Sequence, residues 1–229
     1  MTICTTCMLW IDEEANTIIE ALEDFQRRFH FRLPQLHPVL HGYAGYMLKL
    51  YDHYEAYSAN AMIMSICAFI DANCLELRAT LTERLPKKMD AKLWPDYVRN
   101  LSGIAAFYSF ACFPKKDHPD LSDYIHAIPE MLIFTNFMND VPSFYKEEMN
   151  GEQHNYIRTK SRLSGRPPIR VLKDISHEVV SATKRAERIL EDSPVALKAY
   201  KDYERGYTRF HIDVSRYRFP ADWKAQFSN

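Results

Sequence analysis

Glycine is scarce in this chain, 6 of 229 residues. With no Gly-rich loop and few runs of β-branched residues, the sequence lacks both the phosphate cradle and the strands of a parallel-sheet nucleotide fold. Net charge is nearly absent too: 29 basic against 30 acidic residues leave -1, which argues against a general nucleic-acid binder. The five cysteines, at positions 4, 7, 67, 74 and 112, are an odd number without framework spacing, so the setting reads as reducing and cytoplasmic. Cys4 and Cys7 form one CxxC. A structural zinc site wants a second ligand pair, and none stands nearby, so they are read as small apolar residues on one helix face. The start, MTICTTCMLWI, is apolar for about ten residues and has no basic leader, too short for a membrane span and unlike a signal peptide. Repeats and low-complexity segments are missing as well.

What is present is helical periodicity. An apolar content of 47% is enough for a core. Ile18, Ile19, Leu22 and Phe25 share one side, and from about 35 to 58 Leu40, Tyr43, Met47, Leu50, Tyr54 and Tyr57 make a stripe. The run AMIMSICAFIDANCLELRATL, 61 to 81, carries few charges and suits the centre of a bundle. A connector follows at 87 to 91, then helical patterns at 94 to 112 and 120 to 149. Residues 150 to 168 hold Gly, Asn, Ser and a Pro pair and read as a long loop with a frayed helical turn. Val171, Ile175, Val179, Ala182, Ala186 and Ile189 then fall in register, Ser193 and Pro194 open the last helix, and Leu197, Tyr200, Tyr203, Tyr207, Phe210, Val214 and Tyr217 line it. The expectation is an all-α protein forming one domain over 1–229. The nine histidines show no HExxH; His37 and His41, at a helix start, are read as surface.

The chemistry lies in NDVPSFYKEE, 139 to 148. On an α-helix, positions four apart differ by about 40° in azimuth and ~6 Å in height, so Asn139, Ser143 and Glu147 line one face. An amide oxygen, a hydroxyl and a carboxylate are hard donors that suit Mg²⁺, above all when an anionic substrate supplies the remaining oxygens. Lys146 can reach a phosphate, whereas Asp140 points about 100° away from Asn139 and is expected to make a structural contact. The competing reading is an ordinary polar stripe, but the preceding MLIFTNFM is too apolar for a surface helix. Pro142 removes one helical hydrogen bond; of a kinked helix that keeps all three ligands, a frayed metal site and a lost one, the kink is expected.

This stretch resembles the second metal motif, NDxxSxxKE, of fungal class I sesquiterpene synthases of the trichodiene synthase type. WPDYVRNLSG, 94 to 103, looks like the family's diphosphate-sensing segment, which maps onto Arg99. FHIDVSRYRF, 210 to 219, looks like the end of its last helix, which maps an Arg-Tyr pair onto Arg216 and Tyr217. MLWIDEEANT is the candidate first metal motif, with Asp12 leading, Glu13 next and Asn16 one turn on; by itself it reads as an acidic patch. The family carries several helices before this motif and eleven residues precede Asp12 here, so the resemblance implies a class I terpenoid synthase helical bundle incomplete at the N-terminus.

The resemblance further implies Mg²⁺-dependent ionisation of farnesyl diphosphate and cyclisation of the carbocation. Asp12, Asn139, Ser143 and Glu147 would be the metal ligands. Arg99, Lys146, Arg216 and Tyr217 would hold the diphosphate, with Arg99, Arg216 and Tyr217 acting in catalysis. A homodimer is allowed. Phe107, Phe110, Phe134 and Phe137 are candidates for the cavity lining, though plain core is the simpler reading. The basic residues Arg158, Lys160, Arg162 and Arg166 could close over diphosphate or form a solvated loop. Two rivals stand beside this: an inactive homologue kept as a helical binding or scaffold protein, and a chain-elongating prenyltransferase, which predicts two Asp-rich motifs where the second here is Asn/Ser/Glu.

Overall fold

The computed structural model describes residues 2–78, 90–152 and 155–219. Every regular element among the described residues is helical, as the periodicity predicts. They fall into two compact units, one within Met1–Lys87 and Tyr97–Leu121, the other within Lys88–Asp96 and Ser122–Asn229.

The first unit is built on the helix Ala56–Glu76. Its N-terminus is capped by the Glu55 carboxylate, which accepts from the Tyr57 amide at 2.7 Å and satisfies one of the orphan donors of the first turn. Met62, Ile66 and Ile70 are fully buried, and the helix packs on Ala105–Ala111 and Ile19–Glu23. By length and hydropathy alone it could cross a bilayer; its buried apolar face inside the unit is that of a core helix. The stripe expected from 35 to 58 is divided. Leu40, Tyr43 and Met47 are buried on Pro38–Leu48 and Leu50 on the short Leu50–His53, while Tyr57 belongs to the next helix and is exposed. The 61 to 81 run extends past residue 78, and 79–81, like 87–89 of the connector, lie outside the described residues.

Thr2–Glu14 is the apolar N-terminal helix. Cys4 is buried on it, its thiol 3.0 Å from the Tyr43 hydroxyl, and burial pushes that thiol up to about 12. Such a group is an inert part of the core. His37 does mark a helix start: its Nδ1 accepts from the Val39 amide, and the ring stacks on Trp10 at 4.8 Å. The pattern from 94 to 112 is broken into Trp94–Ser102 and Ala105–Ala111 at Ile104, which is buried in a left-handed conformation, φ 45°. A β-branched residue is strained there, and periodicity carries no sign of it.

The second unit is built on Ile128–Met149, which has Pro129 in its first turn and runs through Pro142 without interruption. Pro168–Ile189 and Pro194–Asp213 pack along it. Val171, Ile175, Val179, Ala182 and Ala186 are buried as the register predicts, but Ile189 is exposed and Leu190 takes the buried place. The stretch expected to be a long loop with a frayed turn contains a regular helix. Tyr156–Ser164 is a helix, capped by Asn155 Oδ1 accepting from the Arg158 amide at 2.8 Å and ended by left-handed Gly165. Its buried Ile157 joins Val171 and Ile175 in an apolar cluster against which Phe137, Val141 and Phe144 pack.

Candidate active site

The candidate residues form two sets, one in each unit. In the first unit Asp12 is exposed near the C-terminal end of Thr2–Glu14, followed by Glu13 and Glu14, with no basic residue in that last turn. Three acids at the negative end of a helix dipole oppose local stability, an inconsistency typical of a functional position. Asn16, expected one helical turn on from Asp12, instead falls in the turn after the helix, where the Thr17 amide donates to the Glu14 carbonyl at 2.8 Å.

Arg99 lies in the last turn of Trp94–Ser102, far along the chain from Asp12. Both act on Glu76, the last residue of the core helix Ala56–Glu76: partial desolvation and then the Asp12 charge raise its carboxyl above the ordinary 4.5, and Arg99 opposes them. Sequence reading missed Glu76, because nothing in a residue 64 positions from Asp12 marks it as a neighbour.

This carboxyl has a measurable consequence. Its raised value means that the folded state binds more protons than the unfolded chain, so wild-type stability falls as pH rises from about 4.5 through the folded value. Glu76→Gln is therefore expected to raise the thermal unfolding midpoint at neutral pH without divalent ions. The gap should close below about pH 4, where the wild-type group is protonated in both states. Unfolding scans at the two pH values check this.

In the second unit Asn139, Ser143 and Glu147 occupy one continuous helix at spacings of four, on a single face across Pro142. Asn139 and Glu147 are half-buried and Ser143 is buried. Hydroxyls on a helix can turn back onto the carbonyl four residues earlier, as those of half-buried Ser176 and Thr183 do here. The Ser143 hydroxyl makes no hydrogen bond among the described residues. Asp140 is buried and engaged beside them, as a structural residue should be. Lys146 is half-buried one turn below Pro142.

Arg216 and Tyr217 follow the last helix in a 3-10 turn, Ser215–Tyr217; Arg216 is exposed and Tyr217 buried. The Asn139 amide nitrogen donates to the Tyr217 hydroxyl at 3.3 Å and lies 3.1 Å from His211 Nε2. The fold thus brings Asn139 and Tyr217 into contact from positions 78 apart. It also adds His211, which the sequence reading passed over as one of nine scattered histidines. Phe210, expected in the apolar stripe, is 42% exposed, while His211 is 1% exposed. Periodicity carried no signal for this, because 210 and 211 lie about equally far from the direction shared by Tyr200, Tyr203 and Tyr207.

Three basic residues beyond the motif, Arg158, Lys160 and Arg166, are committed to carboxylates. Arg158 grips Glu148 through two nitrogens at 2.5 and 2.6 Å. Lys160 donates to Asp96 at 2.6 Å, and Arg166 to Asp174 at 2.5 Å.

The donor set fits a hard divalent cation. Its atoms are an amide oxygen, a hydroxyl and a carboxylate on one helix face, which is oxygen chemistry suited to Mg²⁺ rather than to softer metals. Among the described residues no three or more His, Cys, Asp or Glu gather in metal-binding geometry, so a cation here rests on those mixed donors.

The regular elements among the described residues are all helical, consistent with the all-α terpene synthase fold. The sequence matches the Trichodiene synthase (TRI5) family over residues 1–225, and the chain belongs to that family. It is 34% identical over 209 residues to terpene synthase BipA of Cochliobolus sativus, covering 90% of this chain and 63% of that protein. Alpha-cuprenene synthase of Coprinopsis cinerea is 29% identical, covering 93% and 64%. Longiborneol synthase of Gibberella zeae is 30% identical, covering 90% and 61%. The chain therefore spans just under two thirds of the length of these relatives.

Proposed function

We propose that this chain is a terpene synthase that ionises farnesyl diphosphate and cyclises the resulting cation, releasing diphosphate. The observation that carries the reading is the Asn139–Ser143–Glu147 face, with a buried hydroxyl that makes no hydrogen bond among the described residues set between an amide and a carboxylate. Family membership supports it independently. Bound Mg²⁺ ions would supply positive charge to the diphosphate oxygens as the C–O bond breaks. Asn139, Ser143 and Glu147 are assigned as ligands to these ions, and so is Asp12, supported by the acids gathered at its helix end and by the Glu76 carboxyl that feels its charge.

The remaining roles belong to cations and apolar surface. Arg99, Lys146 and Arg216 offer fixed positive charge to the leaving group and Tyr217 a hydroxyl, so that departure needs no protein nucleophile. Apolar side chains keep water from the carbocation. Phe107, Phe110 and Phe134 are buried, and Phe137 packs in the Ile157 cluster, placements that favour a core role for all four.

The test is incubation of the full chain with farnesyl diphosphate and Mg²⁺, with volatile products read by mass spectrometry. A cyclic sesquiterpene that disappears in the Asn139→Ala, Glu147→Ala double variant is the expected result. No product, with inorganic diphosphate still bound, would overturn the catalytic reading in favour of a binding protein.

A further inference from the structure

The two ends of an asparagine side chain have nearly the same shape, so only its hydrogen bonds decide which of them, oxygen or nitrogen, faces a cation. At Asn139 that decision is made by a buried histidine. His211 Nδ1 lies 2.8 Å from the Tyr207 main-chain carbonyl. A carbonyl only accepts, so Nδ1 carries the proton, and in the neutral ring Nε2 is then an acceptor. Nε2 is 3.1 Å from the Asn139 Nδ2, which must donate to it. The Tyr217 hydroxyl accepts from the same nitrogen at 3.3 Å. Both groups therefore hold the NH₂ end, and Oδ1 lies on the opposite edge of the amide. The imidazole is itself clamped between the rings of Tyr207 and Tyr217, with centroids 4.4 and 4.9 Å away.

We propose that His211 is a positioning residue for the metal site: its Nδ1–H tautomer orients the Asn139 amide so that oxygen, the only atom of that group able to bind a hard cation, is presented. The inference rests on the reading of Asn139 as a metal ligand. A residue that orients a ligand through one hydrogen bond changes metal affinity about 10- to 100-fold when removed. The relay runs from the Tyr207 carbonyl through the ring to the amide, so a side chain that keeps the acceptor should keep most of the effect.

Two measurements on the full chain test this. The first is a long-range ¹H–¹⁵N correlation of the histidine-labelled protein at neutral pH, with His211 assigned by its loss in His211→Gln. The Nδ1–H form is expected, and an Nε2–H ring in the wild-type protein would overturn the proposal. The second is Mn²⁺ binding in the presence of inorganic diphosphate, read by paramagnetic resonance, in wild type, Asn139→Ala, His211→Phe and His211→Gln. Asn139→Ala and His211→Phe should bind about 10- to 100-fold more weakly, with His211→Gln recovering most of the loss. A packing role alone predicts the reverse order, since Phe fills an apolar site better than Gln, and that order overturns the proposal. If Asn139→Ala is weakened while His211→Phe binds as wild type, the positioning role fails and the metal site stands. If Asn139→Ala itself binds as wild type, the ligand reading fails, and this inference with it.

Discussion

Glu147→Gln is expected to leave the fold intact and to cut turnover of farnesyl diphosphate about 10²- to 10³-fold, the scale for losing one electrostatic stabiliser of a developing charge. The substitution is isosteric and removes the only formal charge in the Asn139–Ser143–Glu147 set. Glu147 lies within three residues of the end of Ile128–Met149 and is half-buried, so its loss opens no core cavity. Its neighbour supplies the control. Glu148 has the same chemistry but faces another way, where it is paired with Arg158, and a partly exposed pair of this kind contributes about 0–1 kcal/mol. Glu148→Gln should therefore leave turnover within a few-fold of wild type. Kinetics across a Mg²⁺ series, with the two variants side by side, make the measurement: equal losses would mean that the helix face carries no special role.

Phe134→Ala is expected to lower stability by about 3–5 kcal/mol. For a chain of this size each kcal/mol moves the unfolding midpoint by roughly 2–4 °C, so the drop is about 6–20 °C. Phe134 is 1% exposed and ringed by Tyr200, Tyr203 and Tyr207 at centroid distances of 6.3, 6.0 and 6.0 Å. Those tyrosines tie Pro194–Asp213 to Ile128–Met149. The Tyr203 hydroxyl shares a 2.7 Å hydrogen bond with Thr135 Oγ1, and the Tyr207 hydroxyl donates to the Thr135 carbonyl at 3.2 Å. One turn further along the same pair of helices, the Tyr207 carbonyl meets His211. Removing the ring would loosen the seam that holds Asn139, so metal affinity should weaken along with the midpoint. A variant that keeps the midpoint of the wild type but yields a different product would instead mark Phe134 as a cavity residue.

The composition and period of the chain determined a good deal without any fold. Few glycines, scattered charge and repeated spacings of three and four required helices, because only that geometry buries Met62, Ile66 and Ile70, or Val171, Ile175 and Val179, on one side. The same local rule put Asn139, Ser143 and Glu147 on one face before any coordinates, since four residues is just over one turn. It also contained signals that a reading by composition overrode. Asn155 as a cap, with Ile157 and Leu163 buried after it, makes Tyr156–Ser164 a helix inside a stretch rich in Gly, Ser and Pro.

Tertiary structure alone decided which distant groups share a charge or a proton. Glu76 responds to Asp12 and Arg99, and Asn139 to His211 and Tyr217, because helix ends and faces far apart in sequence are folded into contact. Periodicity records only that a residue faces inward. It holds no term for which partner waits there: the direction of the Asn139 amide is set by His211 and Tyr217, and the Glu76 carboxyl is raised first by burial and then by the Asp12 charge.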